Sequence, residues 1–215
     1  MSLPENPENT PGSHSLPPEQ GRKHTVKKEI ILMRHGQPTL ATPLKIAMSD
    51  MKGWIEHYNR SEIADQTVPD ASMRLAASAS VIVSSSAPRA LTSVQALGLK
   101  PAVVDALFCE AQLPYGHWRF PRLSPFTWAF IFRVLWLCGY SRDAEPVKAA
   151  KLRANTAAQR LQSLASEGPV LLLGHGVMNR LIARQLLADG WTRQQQNGSQ
   201  YWSTAVYQYD GCYGD

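Results

Sequence analysis

The segment "EIILMRHGQP", residues 29–38, passes from four consecutive apolar residues to a cation, an imidazole and a glycine. The apolar run over 29–33 predicts a strand buried on both faces, as in a parallel sheet covered by helices. Ligands of such sheets bind beyond the carboxyl ends of the strands. The segment therefore offers Arg34, His35 and Gly36 to a binding or catalytic site, unless the strand merely reaches the surface there.

Strand-like and helix-like patterns alternate along the rest of the chain. Short apolar runs predict buried strands, and apolar residues at spacings of three and four predict helices that stop near a glycine. This alternation predicts a layered α/β domain with right-handed crossovers. The further predicted strands are 80–84, 102–107, 169–174 and an alternating, more peripheral 203–210, and the predicted helices are 88–99, 145–168 and 176–190.

The first 26 residues differ from the remainder in composition. They contain five prolines and little that could be buried, so we expect a flexible N-terminal tail over 1–26. The tail lacks the apolar core of a secretion signal, which favours a cytoplasmic protein. We expect residues 27–215 to form a single domain. The scattered Cys109, Cys138 and Cys212 have neither zinc-site nor disulfide-framework spacing, and we expect buried or half-buried thiols.

The chain is mildly basic, with 22 Lys and Arg residues against 17 Asp and Glu residues and a formal net charge of +5. The basic residues are scattered and form no dense run, so we expect no nucleic acid partner. A small anionic substrate needs only a few cations and fits this composition.

The segment 125–140, "PFTWAFIFRVLWLCGY", is unusually apolar. It is too short for a membrane span, which needs about 20 residues. We expect a buried helix, with a lid, a dimer face or a membrane-touching helix as open alternatives. The oligomeric state is likewise open, a homodimer included. One face of this helix is predicted to carry Trp128, Phe132, Leu135 and Trp136.

Two predicted strands end in the same way. His35 is followed by Gly36, and His175 is followed by Gly176. Glycine lets the backbone approach a ligand closely, and helix N-termini at this sheet edge present free N–H groups. A third strand leads through "SSSAPRA" to Arg89 at the start of a helix. The pattern predicts that the three strand ends converge on one pocket.

These motifs resemble those of the histidine phosphatase superfamily. "RHG" (34–36), "SSSAPRA" (84–90), Glu110 and "GHG" (174–176) follow the order and spacing of that superfamily over about residues 28–210. The resemblance implies a phosphoglycerate mutase-like, three-layer αβα sandwich with a mostly parallel central sheet. It also implies a phosphatase that acts on a small phosphorylated substrate without a metal or another cofactor.

The resemblance further implies a role for each motif residue. Phosphoryl transfer spreads negative charge over three oxygens, so positioned cations contribute most of the catalysis. A neutral imidazole can attack phosphorus and be released later by water. By resemblance, His35 is the nucleophile, Glu110 is the proton donor and His175 is the second pocket histidine. The resemblance also implies that phosphate is bound by Arg34, Arg89 and the amides of Gly36 and Gly176.

Simpler interpretations remain open for several of these groups. Asp105 could replace Glu110 as the acid, and Ser84–Ser86 most simply serve turn and cap roles, with Ser86 reaching a phosphate as the minor alternative. His117, Arg119 and Arg122 fit a solvated loop better than a substrate mouth. We expect the segments 43–70 and 125–140 to form the rim of the site. Trp54, Tyr58, Trp118 and Trp128 could form an aromatic mouth or simply pack in the core.

Departures from the mutase pattern favour hydrolysis. Mutases usually carry a Glu after "RHG" and an Asn six residues after the histidine, where this chain has Gln37 and Ala41. Phosphoglycerate mutase-type transfer and a non-catalytic phospho-ligand binder are the alternatives. Sugar phosphates, nucleotides, phosphohistidine proteins and alkyl phosphates all remain open as substrates.

Overall fold

The computed structural model describes Met1 and residues 26–41 and 43–211. The predicted tail, apart from its two end residues, and Cys212 lie outside this part of the chain. The strands are β1 (Val26–Arg34), β2 (Ile46–Ala47), β3 (Val81–Ser85), β4 (Val103–Asp105), β5 (Arg122–Leu123), β6 (Val170–Gly174), β7 (Thr192–Asn197) and β8 (Thr204–Gly211). The α-helices are α1 (Met51–Arg60), α2 (Asp70–Ala77), α3 (Pro88–Ala96), α4 (Pro125–Leu137), α5 (Val147–Leu164) and α6 (Gly176–Ala188).

The central sheet has six strands in the order β4-β3-β6-β1-β8-β7. The first four of these run parallel, and β8 and β7 are antiparallel to their neighbours. In the register of β1 with β6, Arg34 is opposite Gly174, so His35 and His175 leave the sheet side by side. The prediction of a mostly parallel sheet is confirmed.

Helices cover both faces of this sheet. Alternate residues of β1 point to opposite faces, so Ile30 and Leu32 pack against α5 and α6, whereas Ile31 and Met33 pack against α2 and α3. The unbroken apolar run of β1 is explained by this burial on both sides. The three-layer arrangement follows from it, as predicted.

A smaller cluster forms where α1 and α4 pack together with the short β2–β5 ladder. Trp128, Phe132 and Trp136 of α4 are buried, as predicted, but Leu135 is 40% exposed and its prediction is wrong. Leu135 lies at the edge of the buried face, and other apolar side chains of α4 also face solvent. Within the described residues, no helix has the length and apolarity to cross a membrane.

The sequence patterns gave no sign of several elements. Strand β7 reads "TRQQQN", and all six of its residues are exposed, so no apolar alternation marks it. Helix α1 lies within the 43–70 insert, and helix α2 begins at its last residue. The expected buried or half-buried thiol is found at Cys109, whereas Cys138 at the end of α4 is exposed and its prediction is wrong.

Candidate active site

His35 lies directly after β1 and is only 2% exposed. Its Nδ1 lies 2.7 Å from the carbonyl oxygen of Gly36. A carbonyl oxygen only accepts hydrogen bonds, so Nδ1 carries the proton and Nε2 keeps its lone pair. Arg89 Nε donates to this Nε2 at 3.3 Å. Burial first, and then the charges of Arg89 and Arg34, lower the pKa of His35 to about 3 against the opposing effect of the Gly36 bond, so the ring is neutral near pH 7.

Two arginines flank His35. Arg34 ends β1, its guanidinium lies 4.6 Å from the Tyr201 ring centre, and its Nη1 donates to the Ser199 carbonyl at 3.2 Å. Arg89 is buried at the start of α3 and donates to the Tyr58 carbonyl at 3.2 Å. Burial lowers the pKa of Arg89. Neither guanidinium forms an ion pair with a carboxylate of the described chain, so both charges are available to an anion.

His175 lies between β6 and α6 and is fully buried. Its ring centre is 5.0 Å from that of His35, and its Nε2 lies 2.7 Å from Ser85 Oγ. Its Nδ1 has no hydrogen-bond partner among the described residues. The pKa of His175 is well below the ordinary value, chiefly because of burial and then because of Arg89 and His35. The second imidazole is therefore also uncharged.

Glu110 follows β4 and reaches the N-terminus of α6. Its Oε1 accepts from the backbone N–H groups of Ala111 at 3.0 Å, Met178 at 2.9 Å and Val177 at 3.2 Å. Its Oε2 accepts from Val177 alone, at 3.1 Å. Helix N-termini favour such a carboxylate. Oε2 is thus the less occupied oxygen and the one that could exchange a proton.

Asp105, the alternative acid, is occupied elsewhere. Its Oδ1 accepts from the Leu107 N–H at 2.9 Å, and its Oδ2 pairs with Arg160 at 3.1 Å. Arg160 belongs to α5 on the outer layer. Glu110 is therefore the carboxylate that lines the cavity described below.

The two glycines differ in what they offer. The Gly36 amide already donates to Ser93 Oγ at 2.9 Å, so it would have to exchange this bond to hold a phosphate oxygen, and that role stays a prediction. A Cβ at Gly36 would lie 2.7 Å from the Trp202 ring, and this crowding explains the glycine. The Gly176 amide makes no hydrogen bond within the described chain and stays available to a ligand.

The serines before α3 do not cap that helix. Its N-cap is Ala87, without a side-chain cap bond, so the predicted cap role is wrong, whereas Ser85 Oγ accepts from the Ala87 N–H at 3.4 Å, as the predicted turn role expected. Ser85 also contacts His175, as given above. Ser86 is exposed and lies 3.4 Å from Cys109 Sγ. The sequence placed these serines near the site but did not show which partner each would have.

A cavity of about 370 Å³ opens beside these groups. Arg34, Arg89 and Glu110 line it, together with residues of α1 and α4, which lie in the two segments expected to form the rim. Trp54 and Tyr58 line this cavity as well. Trp128 is buried in the core, and Trp118 is exposed away from the cavity. His117, Arg119 and Arg122 are exposed and do not line it; the loop interpretation fits His117 and Arg119, whereas Arg122 belongs to β5.

Comparisons with known proteins address the fold. No protein-family model matches the sequence, and no curated protein matches it. Among solved structures, the product of the open reading frame Rv3214 from Mycobacterium tuberculosis is 17% identical, with 83% of this chain and 90% of that chain covered and a TM-score of 0.55. The chain has a phosphoglycerate mutase-like fold.

Two further solved structures are similar to this chain. Mycobacterial hydrolase 2 is 18% identical, with 87% of this chain and 84% of that chain covered and a TM-score of 0.50. A phosphoserine phosphatase mutant from Entamoeba histolytica, solved with phosphoserine, is 16% identical, with 83% and 89% covered and a TM-score of 0.48. At these identities the likeness to the Rv3214 product and to mycobacterial hydrolase 2 establishes the fold alone.

Within this fold, two arginines that the sequence did not single out for the site hold the loop that carries Glu110. Arg153 of α5 donates to the carbonyl oxygens of Leu107 at 2.9 Å and Cys109 at 2.8 Å, and it forms an ion pair with Glu145 at 2.7 Å. Arg133 of α4 donates to two further carbonyls, those of Ala111 and Gln112. No motif marks these arginines, because their partners are backbone atoms distant in the chain.

Tyr201 and Ser93 were also missed. Tyr201 lies under Arg34 and 5.8 Å from the His35 ring, and Ser93 holds the Gly36 amide. The signal for Ser93 was present in the sequence, since it lies one helical turn after Arg89 on the same helix. For Tyr201, which precedes an otherwise regular strand, no such signal exists.

Proposed function

We propose that the protein is a phosphatase that hydrolyses phosphomonoesters through a phosphohistidine intermediate on His35. One observation carries the proposal: a buried, neutral imidazole with its lone pair on Nε2 lies between Arg34 and Arg89, which have no carboxylate partner. This arrangement suits attack on an anion and is hard to explain as packing. An isolated structural histidine would not need two uncompensated cations beside it.

In the first step, His35 Nε2 attacks phosphorus and the bond from phosphorus to the ester oxygen breaks. The weak bond from Arg89 Nε is exchanged for contacts of both guanidinium groups with the phosphoryl oxygens. The step requires Glu110 to enter it protonated on Oε2; the leaving alkoxide takes that proton, and Glu110 becomes a carboxylate. The products are the free alcohol and the phosphorylated imidazole, whose Nδ1 proton is stabilised by the Gly36 carbonyl.

In the second step, water replaces the alcohol. The Glu110 carboxylate takes a proton from this water as its oxygen attacks phosphorus, and the phosphorus–nitrogen bond breaks. His35 recovers its lone pair, Glu110 recovers its proton, and inorganic phosphate leaves. His175 and the Gly176 amide remain to bind phosphoryl oxygens, with Ser85 fixing the His175 ring.

Water is the acceptor that fits this site better than a second phosphorylated sugar acid. The positions that carry Glu and Asn in mutases are Gln37 and Ala41, and both are exposed to solvent here. A mutase keeps its phosphoenzyme dry while the substrate turns round. The absence of those two side chains at these positions supports hydrolysis.

The test is hydrolysis of an activated aryl phosphate in the presence of a chelator. We expect turnover by the wild type and a loss of at least about 10³-fold in His35→Ala, because a covalent nucleophile is removed. Brief reaction and acid-free denaturation should trap an acid-labile phosphate on His35. The control is His117→Ala, an exposed histidine on the loop after Glu110, which should retain full activity.

Either of two outcomes would overturn the proposal. Phosphate binding without turnover of any phosphomonoester would favour the non-catalytic binder. Full activity in His35→Ala would remove the nucleophile from this position.

A further inference from the structure

The cavity beside the arginines has an aromatic wall. Arg89 lies over the Tyr58 ring at 4.7 Å, and Tyr58 stacks on Trp54 with ring centres 5.5 Å apart. Trp54 meets Phe126 edge to face, also at 5.5 Å. These contacts form an unbroken path from the phosphate-binding cation to the first turn of α4. A group attached to a bound phosphate would lie along this wall.

The wall continues into an exposed apolar stripe on α4. Phe126, Phe130, Val134 and Leu137 recur at spacings of four, four and three, so they share one side of the helix. Phe130 is 70% exposed, and both phenylalanines line the cavity. An apolar surface joined to a cavity in this way marks a binding site more than a chance exposure.

Few polar side chains of the cavity are free to bind a polar substrate group. Apart from the groups around the phosphate end, the polar side chains that line it are Asn59, Gln112 and Arg133, together with Trp54, whose indole N–H has no hydrogen-bond partner among the described residues. Arg133 donates to two loop carbonyls, and Gln112 Oε1 accepts from the Glu145 N–H at 2.8 Å. Of the two amide side chains and Arg133, Asn59 is the one that makes no hydrogen bond within the described chain. A sugar or an amino acid would leave most of its polar groups unpaired here.

We infer that the substrates of this site are phosphomonoesters of apolar alcohols. The inference rests on the proposed phosphatase function and adds the class of the leaving group. The phosphate binds between Arg34 and Arg89, and the hydrocarbon part lies against Trp54 and Phe126 and extends along Phe130. Apolar contact area, not hydrogen bonding, then selects the alcohol.

The experiment measures kcat/KM for ethyl, butyl, hexyl and octyl phosphate, with glycerol phosphate and phosphoserine as polar references. Each methylene that is fully buried should raise kcat/KM about fourfold, and a half-buried one about twofold. We expect octyl phosphate to exceed ethyl phosphate by at least about 50-fold on this basis. The polar references should be no better than ethyl phosphate.

Matched variants locate the effect on α4. Phe130→Ser should lower the octyl-to-ethyl ratio about tenfold, because the surface that the chain covers is lost. The control is Leu152→Ser on α5, where the side chain is equally exposed, at 68%, but far from the cavity. This control should keep the wild-type ratio.

A second arm distinguishes the sources of such a substrate. Octyl phosphate below its micelle concentration reports a free amphiphile, and hexadecyl phosphate held in phosphatidylcholine vesicles reports a lipid surface. Hydrolysis in either arm with the expected chain-length and Phe130 dependence supports the inference. Equal kcat/KM across the alkyl series and the polar references, with activated aryl phosphate still hydrolysed, would overturn it and leave the phosphatase proposal intact. Failure with every phosphate ester would count against the phosphatase proposal itself.

Discussion

His35 is a residue whose chemistry is set by its surroundings more than by its type. An imidazole in water is half protonated near pH 6.5, but burial and two neighbouring cations keep this one neutral to about pH 3. The Gly36 carbonyl fixes the tautomer. A single residue type thus becomes a nucleophile because its charged form is excluded and its lone pair is directed away from the backbone.

The same shift makes the folded protein sensitive to acid. Below pH 6.5 the unfolded state binds a proton at His35 and the folded state does not. The contribution of this group to the free energy of unfolding is therefore complete above pH 6.5 and decreases as the pH falls to about 3. On acidification from pH 7.5 to 4.5, protonation of this one group in the unfolded state should lower the free energy of unfolding by about 2 to 3 kcal/mol. Urea unfolding at both pH values should show His35→Asn losing that much less stability than the wild type.

His117 provides the comparison for this measurement. Its side chain is 56% exposed and lies on a surface loop. His117→Asn should lose as much stability as the wild type on acidification. An unchanged pH dependence in His35→Asn would contradict the neutral, buried imidazole.

At the scale of elements, the site depends on how α5 holds the loop between β4 and α4. Arg153 projects from α5 and binds the Leu107 and Cys109 carbonyls, and Glu145 holds the guanidinium in place. The loop then presents Glu110 to the start of α6. An irregular loop needs such an anchor, because its own backbone makes few regular hydrogen bonds.

Arg153→Met should therefore destabilise the protein and impair the site. It leaves the largely buried Glu145 carboxylate without its cation and two carbonyls without their donor, at a cost of about 2 to 4 kcal/mol. Since Glu110 loses its support, kcat should fall more than KM rises. Urea unfolding and steady-state kinetics of the same preparation measure both effects.

A double variant separates charge from packing. Adding Glu145→Gln to Arg153→Met should restore about 1 kcal/mol or more, because the unpaired charge is gone. Arg142→Met removes an exposed ion pair at 3.8 Å and should change stability by less than about 0.5 kcal/mol. Equal losses in Arg142→Met and Arg153→Met would show that the loop needs no anchor.

For the whole molecule, the central strand β6 joins the core to the site. All five of its residues are buried, with neighbours β3 and β1 on either side, and it leads directly into His175. The core on one face includes Leu172, and the core on the other includes Leu171. Loss of packing at this strand should therefore affect fold and site together.

Leu172→Ala tests this link. It should lower the free energy of unfolding by about 3 kcal/mol, because a fully buried side chain is replaced by a cavity. Catalytic activity and helical circular dichroism should be lost in one urea transition, at a lower urea concentration than in the wild type. Leu152→Ala, at an exposed position of α5, should shift the midpoint little. Separate transitions for activity and helicity would contradict the common unit.

The sequence by itself determined the layers and the order of the chemistry-bearing segments. A strand with a continuous apolar run is buried on both faces of a covered sheet, so the local pattern predicted β1, β3 and β6. Parallel strands end at one edge of the sheet, so the strand pattern predicts that Arg34, His35 and His175 lie near each other. Strand β7 could not be predicted in this way, because its residues are polar and exposed and it pairs with β8 without an apolar pattern.

Only the tertiary structure decided which neighbour each group has. It directed the Gly36 amide to Ser93, paired Ser85 with His175, and left Asp105 with Arg160, so that of these two carboxylates Glu110 meets α6. It also exposed one side of α4 beside the cavity. The physical reason is that hydrogen bonds and side-chain contacts join residues far apart in the chain, and their geometry depends on how the layers pack, which no local pattern encodes.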